Sequence, residues 1–213
     1  MAEQRVIKNS EQERLSKTAE KILLAAQAVF AEHGYSGTRM DEIARRAAVN
    51  KATIYYQIGD KDTLYANVIH QVIGSVARDI ARTVEIAAAP EDKLKAYIFC
   101  IARAVDKNPD LPPVMMREIA SGGAHLPQVV IEDVALALKT LLTILQKGTK
   151  KGLFIETDPY LLHMMILGSI LLYRASLPIK NRQTWLPEEL RNGNKHADIA
   201  GEVARLVLRA VKK

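Results

Sequence analysis

Apolar positions along this chain recur at intervals of three and four, the spacing that lines one face of a helix. Ile22, Ala26, Val29 and Phe30 form a first stripe. Ser10 with Glu13, or Ser16 alone, can cap that helix, and Gly34 stops it as a left-handed C-cap with Tyr35 folding back. A second face follows in Met40, Ile43, Ala44 and Ala47. Thr38 is a good N-cap, and Asp41 can reach back to its backbone N–H, so this helix is expected to open at Arg39. Val49 is expected to end the turn as a buried plug. Asn50 then caps a further short helix from Lys51, in which only Ile54 must face inward.

The remainder reads as longer helices. From Lys61, Leu64, Val68, Val72, Val76, Ile80 and Val84 keep helical register until Pro90. Residues 91–107 form the next helix, with acids in the first turn and Lys107 in the last, as the helix dipole favours. Pro109, Pro112 and Pro113 are expected to break the chain before a short helix, VMMREIASGG, that ends at Gly122 and Gly123. Pro127 opens a helix through about Lys147, lined by Val130, Val134, Leu138, Leu141, Leu142 and Leu145, and KGTKKG reads as a basic turn. Asp158 and Pro159 start the most hydrophobic helix, YLLHMMILGSILLYRASL. It is apolar nearly all round, so it must be buried on most sides or paired with another chain. Residues 179–195 are a polar connector holding Trp185 and PEEL. A last helix near 196–211 presents Ile199, Val203, Leu206, Val207 and Ala210.

The two short helices over 38–64 carry the most informative surface. Lys51, Ala52, Thr53, Tyr55, Tyr56 and Gln57 are free to face outward: a cation, hydroxyls, an amide and two aromatics. Such a set suits a major groove, where the first turn of a helix meets base edges and phosphates. A generic helical hairpin with an exposed Tyr pair shows the same pattern, so the motif alone leaves both readings open. The stretch from Ile22 to about Leu64, however, resembles the N-terminal domain of the TetR family of bacterial transcriptional regulators. The matching pieces are ILLAAQAVFAEHGYSGT, MDEIARRAAV and NKATIYY, followed by Lys61 and Leu64 in the family's order and spacing. The resemblance implies a helical homodimer that binds a near-palindromic operator and is released by a small ligand. Carried over by position, Lys51, Thr53 and Tyr56 resemble base or phosphate readers. Thr38, Tyr55 and Lys61 resemble phosphate anchors, and Arg39, Ala52 and Gln57 complete the expected DNA-facing set. VMMREIASGG with the HLP after it is similar to a C-terminal subtype found in some members. Three positions depart from the family pattern. Ala48 stands where Gly is usual, which costs on the order of 1 kcal/mol if that residue has positive φ. Ile58 replaces a Phe, and Asp60 puts a negative charge near the expected phosphate path.

Composition adjusts this picture only in places. With 213 residues, 48% hydrophobic and 5% aromatic, the chain can bury a sizeable core of Ala, Leu, Ile and Val. The +6 formal charge does not single out the DNA end, because residues 1–60 carry 9 Lys/Arg against 8 Asp/Glu, leaving +5 for the rest. Local placement matters more: Arg5, Lys8, Arg14 and Lys17 before the first helix, and Arg39, Arg45, Arg46, Lys51 and Lys61 within the motif. The basic arm can follow a minor groove or remain a disordered tail. Cys100 is the only cysteine, lies in the apolar run YIFCIA and reads as a small buried hydrophobe. The first residues hold no apolar run of signal-peptide length, and the window Leu161–Tyr173, about 13 residues, reads as too short to span a bilayer. The expected location is the cytoplasm, with no membrane partner.

No Gly-rich phosphate loop occurs, the five His are scattered, and Ser121 with His125 lacks the strand-turn-helix context of a nucleophile. No catalytic residue, metal or cofactor is therefore expected. A ligand pocket among the central helices would draw on Phe99, Arg103, Met115, Met116, Glu118, Met165, Tyr173 and Arg174. Met and aromatic residues at helical spacing are, however, more often plain core than pocket lining. Arg103 and Arg174 each need a partner, which could be a ligand's acid group, Glu118 or water. The expected fold is all-α, about nine helices: an arm and three-helix helix-turn-helix DNA-binding domain over 1–60, then a ligand-binding and dimerisation bundle over 61–213. The expected function is a ligand-responsive transcriptional repressor, homodimeric through its C-terminal helices. The partners are a double-stranded DNA operator and a small-molecule effector. The alternative is a helical small-molecule or lipid-binding protein on the same scaffold that does not read DNA.

Overall fold

A computed structural model of the chain describes residues 2–182, Pro187 and 198–213, with side chains from Lys17 onward and that of Asn181 excepted. Nine helices occur among the described residues. They are α1 (Ala2–Gly37), α2 (Met40–Ala47), α3 (Lys51–Gln57), α4 (Lys61–Ile86), α5 (Pro90–Lys107), α6 (Leu111–Ala120), α7 (Gln128–Lys150), α8 (Pro159–Arg182) and α9 (Ile199–Val211). The expected all-α architecture is thus the observed one. No strand is present among these residues, and Phe154 and Lys212 form one isolated antiparallel bridge. The side chains of Arg5, Lys8, Ser10, Glu13, Arg14 and Ser16 lie outside the described residues, as do Trp185 and most of PEEL.

The helices collect into two compact units. One comprises the chain up to Gln71 together with Pro113–Val130; the other comprises Val72–Pro112 and Ile131–Lys213. The helix-turn-helix unit therefore takes in the first turns of α4 and most of α6, beyond the expected boundary at residue 60.

In this first unit Ile22, Ala26, Val29 and Phe30 are fully buried, as the stripe predicted, and α1 packs against both α2 and α3. Gly34 does not cap α1 in the left-handed helical region. Its φ of 69° and ψ of 178° put a kink in the helical run, in a region of backbone space open essentially to glycine. The second unit packs α5 on α8 and α9, and α8 on α9. Leu94, Tyr97 and Ile98 of α5, Ile166 and Ile170 of α8, and Val203 and Val207 of α9 form part of its core.

Several expected boundaries move, each for a packing or stereochemical reason. Pro112 and Pro113 do not break the chain but occupy the first turn of α6, where a missing N–H costs nothing. KGTKKG turns only at its last two residues, Lys151 and Gly152, the latter with φ of 70°. Helix α7 continues to Lys150, and the space a side chain would need at Gly148 is filled by the buried Phe154 ring. Helix α8 continues through Pro178 to Arg182. Its segment Pro159–Lys180, 22 residues holding an 18-residue window of mean hydropathy 1.4, is by length and composition long and apolar enough to cross a membrane, which corrects the 13-residue reading. Within the second unit α8 is nevertheless tied to α5 by polar contacts. The Tyr97 hydroxyl lies 2.8 Å from His163 Nδ1, and Arg174 pairs with Asp106 at 2.5 Å.

Candidate nucleic-acid interface

Each short helix of the motif is set by a local device. Helix α2 opens at Met40, with Arg39 at the N-cap position making no side-chain cap. The expected capping role of Thr38 is thus corrected. Thr38 is 3% exposed, and its hydroxyl donates back to the Gly34 carbonyl at 2.6 Å, joining the kink of α1 to the entry of α2. Helix α2 closes at Ala48, whose φ of 53° and ψ of 45° place it in the left-handed region. Asn50 then caps α3 as expected, its Oδ1 accepting from the Thr53 N–H at 2.7 Å and the Thr53 hydroxyl at 2.8 Å. Ile54 is the buried residue of this seven-residue helix. Ile58 ends α3, donating its N–H to Ile54.

The outward face follows directly. Tyr56 is 82% exposed and Tyr55 49%, an unusual setting for aromatic rings that a protein interior would readily bury. Lys51, Ala52 and Arg39 are also exposed, and Thr53 and Gln57 are half-buried. Lys51 Nζ lies 3.1 Å from Asp41 Oδ2, a contact between α3 and α2. At the start of α4, Lys61 is half-buried, with Nζ 4.5 Å from the centroid of the Tyr35 ring, and burial lowers its pKa. Asp60 accepts from the Thr63 N–H at 2.9 Å and hydroxyl at 2.7 Å. The Thr63 hydroxyl and N–H hold its carboxyl below the usual range. Its charge therefore caps α4, a use that accounts for an acid at this position.

The motif's other cations are differently employed. Arg46 is gripped by Glu32 of α1, at 2.6 and 2.5 Å, and by Glu42 at 2.8 Å, while Arg45 pairs with Glu42 at 2.7 Å. Hydrogen bonds from Arg45 and then Arg46 pull the Glu42 carboxyl down to about 2. This network fastens α2 to α1 and employs Arg45 and Arg46 within the motif.

A further cluster, which local spacing does not reveal, supports the end of α1. Tyr65 donates to the buried Glu118 at 2.6 Å, Glu118 accepts the His125 backbone N–H at 3.2 Å, and the His125 ring stacks on Tyr35 at 4.4 Å. Glu118 is thus not the partner of Arg103 or Arg174. Asp79 lies 4.0 Å from Arg103, and Asp106 holds Arg174. The expected pocket residues divide between the two units: Met115, Met116 and Glu118 in the first, the other five in the second. Met115 and Glu118 are buried, whereas Phe99 and Met165 are 43% and 49% exposed. None of the eight lines the open groove of about 420 Å³ between Val84, Lys93, Thr140 and Ile144.

Residues 22–68 match the family model described as bacterial regulatory proteins, tetR family. The HTH-type transcriptional repressor NicS of Pseudomonas putida is 25% identical over 203 residues, spanning 94% of this chain and 95% of that protein. Among solved structures, HlyIIR, a haemolysin II transcriptional regulator, aligns with a TM-score of 0.69 at 23% identity over 93% of this chain and 99% of its own. FadR from Bacillus subtilis, solved with stearoyl-CoA, aligns with a TM-score of 0.68 at 23% identity over 89% and 97%. Both of these show the likeness of fold.

Proposed function

We propose that the chain is a TetR-family transcriptional regulator rather than an enzyme, a cytoplasmic, ligand-responsive repressor acting as a homodimer on a near-palindromic operator. The observation that carries this reading is the face of α3. A seven-residue helix with one buried side chain holds Tyr55 and Tyr56 in solvent beside Lys51, which is the surface a major groove would cover. Tyr56, Thr53 and Lys51 then meet base edges and nearby phosphates, while Arg39, Tyr55 and Lys61 meet the backbone, with Ala52 and Gln57 at the margin. Thr38, with its hydroxyl turned inward, positions the motif rather than touching DNA.

Two copies of α3 would enter successive half-sites about 34–36 Å apart, or more if the dimer is wider. An effector weakens binding only by preferring a dimer geometry with another spacing, through its differential affinity for the two states. Helix α4 is the natural lever, since it is continuous from Lys61 in the first unit past Val72 in the second. Arg174 supports an effector with an acidic group: its Nε is buried without an acceptor while Nη2 holds Asp106.

Selection of the purified protein against random duplex DNA near physiological salt tests the reading. A near-palindrome whose affinity falls as salt rises is expected. On that sequence Tyr56→Ala should lose about 1–3 kcal/mol of binding, with Lys51→Ala weaker too, and neither should move the unfolding transition. Failure to enrich any sequence would sink the operator reading and favour the scaffold as a small-molecule binder.

A further inference from the structure

Lys61 is the phosphate anchor of the reading above, and it is not a freely swinging cation. Its ammonium rests 4.5 Å from the centroid of the Tyr35 ring. Tyr35 is itself fixed on several sides. Its hydroxyl donates to Asp62, the residue after Lys61, and its ring meets Tyr65 edge-on at 5.1 Å. The same ring stacks on the His125 imidazole, 4.4 Å between centroids and 24° between planes.

His125 comes from the bend after α6, far from Lys61 along the chain. The bend is firmly held in the same compact unit. The His125 N–H donates to Glu118 Oε2 at 3.2 Å, and its Nδ1 lies 3.7 Å from Oε1. Glu118 is 3% exposed and also accepts from the Tyr65 hydroxyl at 2.6 Å. Arg117 donates to the carbonyls of Ala31 and Glu32, the latter at 3.0 Å, near the end of α1. The bend thus reaches the Lys61 ammonium through two rings in contact.

We infer that His125 is a positioning residue for the phosphate contact of Lys61: the imidazole backs the Tyr35 ring, and the Tyr35 ring sets where the ammonium rests. A lysine has much rotamer freedom to lose on binding, and a cation already held over an aromatic face has less left to lose. Without the imidazole, Tyr35 loses its stacking partner, its ring no longer holds the Lys61 ammonium in place, and the ordering cost of the free lysine leaves its phosphate without a cation. The inference rests on the operator reading of Lys61.

The test uses the full chain and its selected operator, with affinity followed across a salt series for wild type, K61M, H125A, H125F and K61M/H125A. The slope of log affinity against log salt falls by roughly 0.9 for each phosphate that is no longer neutralised. K61M and H125A are expected to flatten it similarly. H125F, whose ring still stacks, should restore it, and the double variant should be no flatter than K61M. In the free protein the Tyr35 ring current should shift the Lys61 ε-methylene proton resonances upfield, an effect absent from H125A and kept in H125F. If H125A does not fold, H125L, which fills the space without a stacking ring, takes its place. Lower affinity for H125A at an unchanged slope would show a merely structural role and overturn the inference, as would wild-type resonances in H125A. K61M flattening the slope while H125A leaves it intact defeats this inference alone. No specific binding by wild type, or a wild-type slope in K61M, defeats the operator reading of Lys61 and this inference with it.

Discussion

Ala48 shows how one methyl group registers in this fold. It closes α2 with φ 53° and ψ 45°, and its N–H donates to carbonyls of the last turn. A Cβ in the left-handed region costs about 1–2 kcal/mol, while a glycine there would forfeit about 0.4–1 kcal/mol through the freer unfolded chain. The difference favours glycine. Ala48→Gly is therefore expected to stabilise the protein by about 0.5–1 kcal/mol, raising the thermal midpoint by a few degrees at fixed protein concentration. A lower midpoint would show that Ala48 makes a contact worth more than its strain. Asp60 teaches the complementary lesson. Its charge looks misplaced beside a phosphate path until the two hydrogen bonds from Thr63 give it a capping role.

The short helices are too brief to persist alone, since helices below about 12 residues are marginal in water. Helix α3 relies on the Asn50 cap and one buried isoleucine, and α2 on its apolar face and its charged network with α1. The network has a pH signature. Glu42 titrates at about 2, held below its ordinary 4.5 by Arg45 and Arg46, so its contribution is complete above 4.5 and fades as pH falls through about 2. Glu32, lowered first by its bond from Arg46, acts in the same direction. Thermal melts of Glu42→Gln between pH 5 and pH 2 should accordingly lose less stability on acidification than wild type does. Parallel curves would mean that the unfolded chain keeps the same pairing.

At the scale of the molecule, α8 leaves a line of apolar side chains uncovered: Leu161, Met165, Leu172 and Ile179 share one helical face, and Leu206 of α9 is also exposed. Each large apolar side chain gains about 1.5–3 kcal/mol when fully buried, so a face of this size favours a partner. We expect that partner to be a second copy, whose own α8 and α9 would complete a four-helix bundle. Leu172→Glu should shift the protein to monomer by sedimentation while circular dichroism stays helical, and operator affinity should fall because two half-sites are no longer engaged together. A dimer that survives this change would have to use another face.

What the chain's order of residues determined by itself is what neighbours decide. The stripe from Ile22 to Phe30, the Asn50 cap, the lone inward Ile54 and the long register from Lys61 all depend on residues within a few turns of one another, so periodicity and capping rules reach them. The outward face of α3 was legible for the same reason: once Ile54 is assigned inward, Lys51, Ala52, Tyr55 and Tyr56 are left exposed, while Thr53 and Gln57 end half-buried. Tertiary structure alone decided which acid holds which base. Arg46 takes Glu32 as well as Glu42, Arg174 takes Asp106, and Glu118 turns to Tyr65 and His125. It also decided that Gly148 serves the Phe154 ring rather than a turn, that Thr38 faces inward, and that residues 113–130 fold with the helix-turn-helix. These outcomes depend on atoms brought together from distant parts of the chain, where local spacing carries no information and burial, charge and shape choose the partner.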